Sequence, residues 1–150
     1  MKIEETFSVK APVERVWDFM MAPERMAPCI PGCGEVEILG KNHYRANVKV
    51  AVGPIKTSFN VSVEITQQEA PTYAATITRG EEGGKASMLT ANSELRLTPV
   101  NAAETEVHYV SEVSLVGRLG KFGLGIMKKK AKAIGEEFAN SFRSQIEVPD

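Results

Sequence analysis

Two cysteines, Cys29 and Cys33, bracket a Pro-Gly turn in the segment CIPGC, and the chain has no others. A structural zinc site needs four ligands and usually has Cys-x2-Cys spacing, whereas three residues separate this pair. The two histidines do not complete a site, because His43 lies in a predicted turn and His108 on the outward register of a predicted strand. A metal site and a redox pair are the weaker alternatives. We expect neither a metal nor a disulfide, and we interpret both thiols as small apolar side chains.

The glycine-rich segment GRLGKFGLG, residues 117–125, is a second candidate because glycine-rich loops can bind phosphates. It lacks the Gly-x4-Gly-Lys-Ser/Thr pattern of such loops, and it does not follow a strand in a βαβ unit. No nucleotide site is therefore predicted. The net charge of −1 also gives no indication of a nucleic-acid partner.

A cluster of basic residues and no acid lies within residues 118–132. On a nearly neutral chain this local charge predicts contact with an anionic bilayer or an acidic partner. The lysines expected to make that contact are Lys121, Lys128, Lys129, Lys130 and Lys132. A solvated helix face explains the same residues equally well, and the sequence leaves both interpretations open.

The apolar periodicity indicates which elements position these groups. Residues 3–9 are predicted to form a strand, residues 12–20 a short helix, and Pro23 begins a second short helix. From Tyr44 onward the apolar period changes from 3.6 to 2, which predicts half-buried antiparallel strands. The helical period returns at about residue 118 and predicts one long helix.

The long amphipathic helix must bury its apolar stripe against the one apolar face of the sheet. We therefore predict an α+β fold, in which a curved antiparallel sheet wraps around a long C-terminal helix and two short helices follow the first strand. One domain is expected to span residues 1–150. The sequence shows no signal peptide and no apolar run of about 18 residues, so we expect a cytoplasmic protein.

Small residues on the predicted inward face of the sheet suggest a void beneath the long helix. Ala46, Ala75, Ala91, Ser93 and Ser111 share this face in the predicted register. Such residues indicate either close packing of helix on sheet or an apolar cavity, and the pattern alone leaves both open. The assigned inward positions carry no Asp, Glu, Lys, Arg or His, which argues against acid–base catalysis there.

Three separated motifs resemble the family of the carbon monoxide dehydrogenase G subunit. They are VERVWDFMMAPERMAPCIPGC, KVAVGPIKTSFNVSVEI and VSLVGRLGKFGLGIMKKKAK, in this order along nearly the whole chain. The resemblance implies a helix-grip, START-like fold with a hydrophobic cavity between the sheet and the C-terminal helix. It also implies a non-catalytic protein that binds a quinone or isoprenoid lipid and links a molybdenum-containing carbon monoxide dehydrogenase, or a related hydroxylase, to the membrane.

With this fold the CIPGC turn is expected to form part of the cavity mouth. The residues expected to bind the ligand are Ile30, Pro31, Gly32, Phe59, Leu89, Tyr109, Phe122, Gly123, Ile126 and Met127. No catalytic residue, metal or covalent cofactor is expected, and a bound quinone or lipid is the only small molecule implied. Some family members carry a C-terminal anchoring extension that these 150 residues lack. We therefore expect reversible, peripheral contact with the inner face of the plasma membrane through the lysines.

Two other functions fit the same sequence. The first is an enzyme similar to polyketide cyclases or aromatases, which would need polar groups in the cavity such as Tyr73, Tyr109, Ser93 or Ser111. The second is a pure adaptor that docks on the membrane or the partner enzyme through the lysines and has an incidental cavity. Ligand binding separates the carrier from the adaptor, and a base beside the tyrosines would favour the enzyme.

Overall fold

The computed structural model describes residues 1–147, apart from the side chain of Leu124. Its strands are β1 Lys2–Val9, β2 Cys33–Gly40, β3 His43–Val52, β4 Ile55–Glu69, β5 Tyr73–Glu82, β6 Ser87–Asn101 and β7 Glu104–Gly117. Its helices are α1 Val13–Met20, α2 Pro23–Met26 and α3 Leu124–Ile146. The last three residues of the predicted domain lie outside the described residues.

The strands of residues 1–147 form one open, curved antiparallel sheet in the order β1-β7-β6-β5-β4-β3-β2. Consecutive strands from β2 to β7 are neighbours, and β1 closes the far edge by pairing with β7. The long helix α3 lies against the apolar face, as expected for an amphipathic helix that must cover it. The predicted α+β helix-grip architecture is confirmed.

Two apolar clusters hold α3 on the sheet. The larger surrounds Phe142 near the helix C-terminus, where its ring meets Phe19 edge-on at 5.1 Å and stacks on Phe138 at 5.9 Å. The smaller lies at the other end of the helix, where Phe59 and Leu119 are buried with Val52. Aromatic pairs of this kind stabilise a core beyond their buried area. Because the two clusters clamp the ends of α3, the middle of the helix spans the sheet between them.

The edge strand β2 was not predicted from the sequence. Its side chains have little burial on either face, with Ile38 53% exposed and Leu39 42% exposed. An edge strand that is wet on both faces lacks the alternation of apolar and polar residues on which the prediction depended.

The long helix begins later than predicted, at Leu124 instead of near residue 118. A single 3-10 turn covers Leu119–Phe122, and Gly117 and Gly123 flank it with φ of +99° and +87°. Side chains other than glycine rarely adopt such angles. These glycines therefore shape a turn from β7 into α3, and their helix propensity has no bearing on the helix itself.

The predicted register of β5 was wrong by one residue. Tyr73, Ala75 and Ile77 were assigned to the inward face, but Ala74 is 1% exposed and Thr76 and Thr78 line the inner surface. In β5 the larger apolar side chains face outward, so hydrophobicity indicates the opposite face. A one-residue slip moves every side chain to the other side of a sheet.

Candidate functional site

A cavity of about 570 Å³ lies between the sheet and the middle of α3. Its third wall comes from the end of α1, from α2 and from the turn that follows, through Met20, Met21, Met26 and Ile30. Most of the lining side chains are aliphatic, aromatic or methionine. Concave apolar sites of this size bind hydrophobic small molecules.

Small side chains on the central strands leave this space open. Ala91, Ser93 and Ser111, which were predicted to face the helix, line the cavity together with Thr76 and Thr78. Between the two clusters that clamp the helix, the structure therefore has a void where close packing was the alternative. Ala75 belongs to the outward register and takes no part in the lining.

A glycine in the middle of α3 adapts the helix to a tyrosine on the sheet. A Cβ at Gly135 would lie 2.8 Å from the Tyr109 hydroxyl oxygen, which is closer than real side chains approach. Glycine inside a helix costs about 1 kcal/mol relative to alanine, and here it makes room for the phenol. Burial, with the Glu5 carboxylate as a smaller contribution, raises the pKa of Tyr109 above its ordinary value. The hydroxyl is therefore a neutral hydrogen-bond donor at physiological pH.

A small number of further polar groups interrupt the apolar lining. The Ser93 and Ser111 hydroxyls lie 2.7 Å apart and form a hydrogen bond across β6 and β7. Lys130 of α3 contributes the lining cation among the described residues. Glu94 reaches the edge of the cavity, where it is exposed to solvent and lies 3.7 Å from Arg96.

Half of the residues predicted to bind the ligand lie together in this cavity. Ile30, Phe59, Leu89, Tyr109 and Met127 line it from the turn, the sheet and the helix. Their contact with a ligand stays a prediction.

The other five predicted residues do not line the cavity. Pro31 and Gly32 form the turn into β2, where the Gly32 carbonyl accepts a hydrogen bond of 2.8 Å from the Lys49 N–H. Phe122 packs against the smaller apolar cluster, beside Gly53.

Gly123 and Ile126 are the remaining two, and both are exposed, Ile126 to 51%. The side chains that line the cavity from α3 follow a spacing of three and four residues from Met127. Ile126 precedes that row by one position and points away from the sheet. Gly123 has open space around it, so a larger side chain there would not enter the cavity.

The predicted basic cluster divides between two surfaces. Lys121, Lys128, Lys129 and Lys132 are exposed, whereas Lys130 is half-buried and lines the cavity. The reason is again helical spacing, because Lys130 follows Met127 by three residues. The four exposed residues are called the lysine patch below.

A buried acid on the inner face of β5 corrects the expectation that this face is free of charge. Glu82 is 2% exposed, next to the smaller apolar cluster and outside the cavity lining. Its carboxylate oxygens accept hydrogen bonds of 2.9 and 3.0 Å from Nε of Arg118, and the Arg118 Nη2 makes a further contact. The hydrogen bonds from Arg118 lower the pKa of Glu82 to about 2. A carboxylate so strongly paired is not available as a general base.

The cysteines have different environments. Cys29 is 1% exposed in the larger apolar cluster, and Cys33 is half-buried at the start of β2. Both thiols are free, and burial raises the pKa of each above its ordinary value. A raised pKa leaves less of the reactive thiolate, as expected for Cys29 in its apolar packing role.

Metal ligands are not gathered anywhere in the part of the chain that the structure describes, where no three His, Cys, Asp or Glu side chains form a group. His108 lies on the outward face, as predicted, with its Nε2 2.6 Å from a Glu4 carboxylate oxygen. Within residues 1–147, no helix has both the length and the apolar composition required to cross a membrane.

The fold is shared with solved structures of low sequence identity. A conserved protein from Geobacillus kaustophilus superposes with a TM-score of 0.91 at 24% identity, covering 98% of this chain and 95% of that one. A START superfamily protein from Mycobacterium smegmatis gives a TM-score of 0.77 at 14% identity, covering 97% of each chain. The aromatase/cyclase Zhui from a Streptomyces species gives 0.71 at 16% identity, covering 98% and 93%. These similarities show a START-like fold.

The sequence supplies the family. No curated protein matches this chain at a significant level. The family model for the carbon monoxide dehydrogenase G subunit (CoxG) matches residues 6–147 and so covers all three motifs noted above. The protein belongs to the CoxG family of carbon monoxide dehydrogenase subunits.

Proposed function

We propose that this protein is a non-catalytic carrier of a hydrophobic molecule, a quinone or other isoprenoid lipid, that serves a molybdenum-containing carbon monoxide dehydrogenase or a related hydroxylase. The observation that supports it is the cavity of about 570 Å³, with apolar walls and a few hydrogen-bond donors. A quinone has the complementary chemistry, since its tail and ring are apolar and its carbonyl oxygens accept hydrogen bonds. Membership of the CoxG family supports the dehydrogenase as partner.

The first test is native mass spectrometry of the protein purified without detergent from cells that make respiratory quinones. We expect one quinone or isoprenoid lipid per chain, identified by extraction, because a cavity of this size and polarity retains such a molecule. A protein that emerges empty and takes up no added quinone would contradict the carrier function.

The lysine patch is proposed to bring the carrier to an anionic membrane surface. A lysine near such a surface contributes roughly 1 kcal/mol of binding free energy, and Ile126 is exposed on the same helix. We expect the double substitution Lys128→Glu and Lys129→Glu to weaken binding to vesicles that contain phosphatidylserine by about 30-fold or more. Vesicle co-sedimentation at low ionic strength measures this change.

The matched control is Lys10→Glu with Lys41→Glu, since both of these lysines are exposed and lie on other elements. Both double variants lower the net charge from −1 by the same amount. Equal weakening by the two variants would show that net charge alone drives association, and unchanged binding by the first would dismiss the lysine patch.

An enzyme of the aromatase or cyclase kind is the second candidate. Tyr109 and the hydroxyls of Ser93 and Ser111 line the cavity, as that candidate requires. Tyr73, the other tyrosine considered, lies outside the lining and packs beneath the Arg96 guanidinium at 4.6 Å. Since Glu82 is bound to Arg118, the lining offers the phenol no buried base among the described residues. Cyclised product from a polyketide-like substrate would favour this candidate over the carrier.

A further inference from the structure

Three hydroxyl side chains form a polar row across the middle of the cavity floor. Thr76 of β5 pairs with Ser93 of β6, and Ser93 pairs with Ser111 of β7. Side chains at paired positions share one face and lie close together. The row continues as Ile65 on one side and Ile3 on the other, so apolar residues flank the hydroxyls at both ends.

The row has unused hydrogen-bonding capacity. Ser93 and Ser111 bond to each other at 2.7 Å, which uses one of their two hydroxyl hydrogens and leaves the other free to donate. Thr76 has no hydrogen-bond partner among the described residues. Polar groups inside an apolar site are costly unless they are paired, so a ligand oxygen that pairs with them gains affinity.

The other lining groups that reach the cavity interior also act as donors. Tyr109 is neutral and lies one residue pair further along β7, and Lys130 projects from α3 on the opposite wall. The carboxylate of Glu94 is the exception, and it is exposed at the rim beside Arg96. The cavity therefore favours a ligand whose polar atoms accept hydrogen bonds.

We propose that Thr76, Ser93 and Ser111 are the subsite that binds a carbonyl-type oxygen on the ring of the hydrophobic ligand. This inference rests on the proposed carrier function and adds where the ligand's polar end lies. The oxygen-bearing ring binds over the central strands β5, β6 and β7. The hydrocarbon part occupies the aliphatic remainder of the cavity.

The test compares two probes that differ only in their oxygens, dimethylnaphthoquinone and dimethylnaphthalene, with both methyl groups placed where thiols would otherwise add to the quinone. We expect the double substitution Ser93→Ala and Ser111→Ala to weaken binding of the quinone by about 10-fold. Binding of the hydrocarbon should change by less than about twofold, because its contacts are apolar. Removing both serines together leaves neither hydroxyl without its partner, so the sheet should stay intact.

The matched control is Thr90→Ala with Ser114→Ala, because these exposed hydroxyls are a cross-strand pair on the other face of β6 and β7. It should leave the affinity for both probes unchanged. Unchanged quinone affinity in the Ser93/Ser111 variant, or equal weakening for both probes, would overturn the subsite and leave the carrier function standing. A wild-type protein that binds neither probe would overturn both.

Discussion

Replacing Ala131 by tryptophan should abolish ligand retention while the protein stays folded. Ala131 lines the cavity from the middle of α3, and its half-buried side chain faces the void between the two apolar clusters. An indole there occupies space that the ligand needs. We expect the dissociation constant for a quinone to rise by about 100-fold or more, equivalent to a loss of about 3 kcal/mol of binding free energy.

Ala133 provides the control on the same helix. It lies two residues further on and is exposed, so Ala133→Trp adds the same indole outside the cavity and should leave ligand retention unchanged. Overpacking a well-filled core costs about 1–3 kcal/mol of stability, and an existing void reduces that cost at Ala131. Native mass spectrometry of both variants, with circular dichroism to verify folding, measures the difference. Full ligand occupancy in Ala131→Trp would place the ligand elsewhere.

Replacing Arg118 by methionine should destabilise the fold strongly at neutral pH. The substitution leaves the Glu82 carboxylate buried at 2% exposure without its cation, and an unpaired buried charge is far more costly than an absent pair. We expect the melting temperature at pH 7 to fall by about 10 °C. Arg118 also precedes Leu119, so the loss should loosen the turn that leads into α3.

The pH dependence identifies the cause. In the wild-type protein the pKa of Glu82 is lowered from its ordinary 4.5 to about 2, so the ion pair stabilises the fold above pH 4.5 and this contribution is lost as the pH falls toward 2. In Arg118→Met, burial without a cation raises that pKa above the unfolded value. The variant should therefore become more stable as the pH is lowered from 7 toward 5.

Two comparisons make this prediction specific, with thermal unfolding followed between pH 4 and 8. Adding Glu82→Gln to Arg118→Met should restore much of the stability at pH 7 and remove the gain at lower pH, because no buried charge remains. Arg45→Met breaks an exposed pair with Glu37 at side-chain exposures of 57% and 60%, and should lower the melting temperature by only about 2 °C. A variant at position 118 as stable as Arg45→Met would show that the Glu82 pair is unimportant.

The sequence predicted well those features that depend on local periodicity. The change from a helical to an alternating apolar pattern identified the order of helices and strands, because side-chain period follows directly from backbone geometry. Three motifs spread along the chain identified the family. The same alternation also placed Ser93, Ser111 and Tyr109 on the inner face, since β6 and β7 have one apolar side and one polar side.

The errors occurred where local pattern and burial disagree. In β5 the larger side chains Tyr73 and Ile77 face outward, and the pairing with β4 shifts by a bulge between Ile65 and Gln67. That register brought Thr76 and Glu82 to the inner face, where the sequence had predicted small apolar residues. Hydrophobicity alone does not reveal such a register, because hydrogen bonds to the neighbouring strands determine it.

The sequence by itself determined the family, the element order and the presence of small residues along the centre of the sheet. Tertiary structure alone decided that those residues enclose a cavity, that Lys130 faces it while Lys128 and Lys129 do not, and that Arg118 neutralises Glu82. Each of these depends on the rotation of α3 or on contacts between residues far apart in the chain. Periodicity describes one element at a time, whereas a cavity and a buried ion pair exist only where several elements meet.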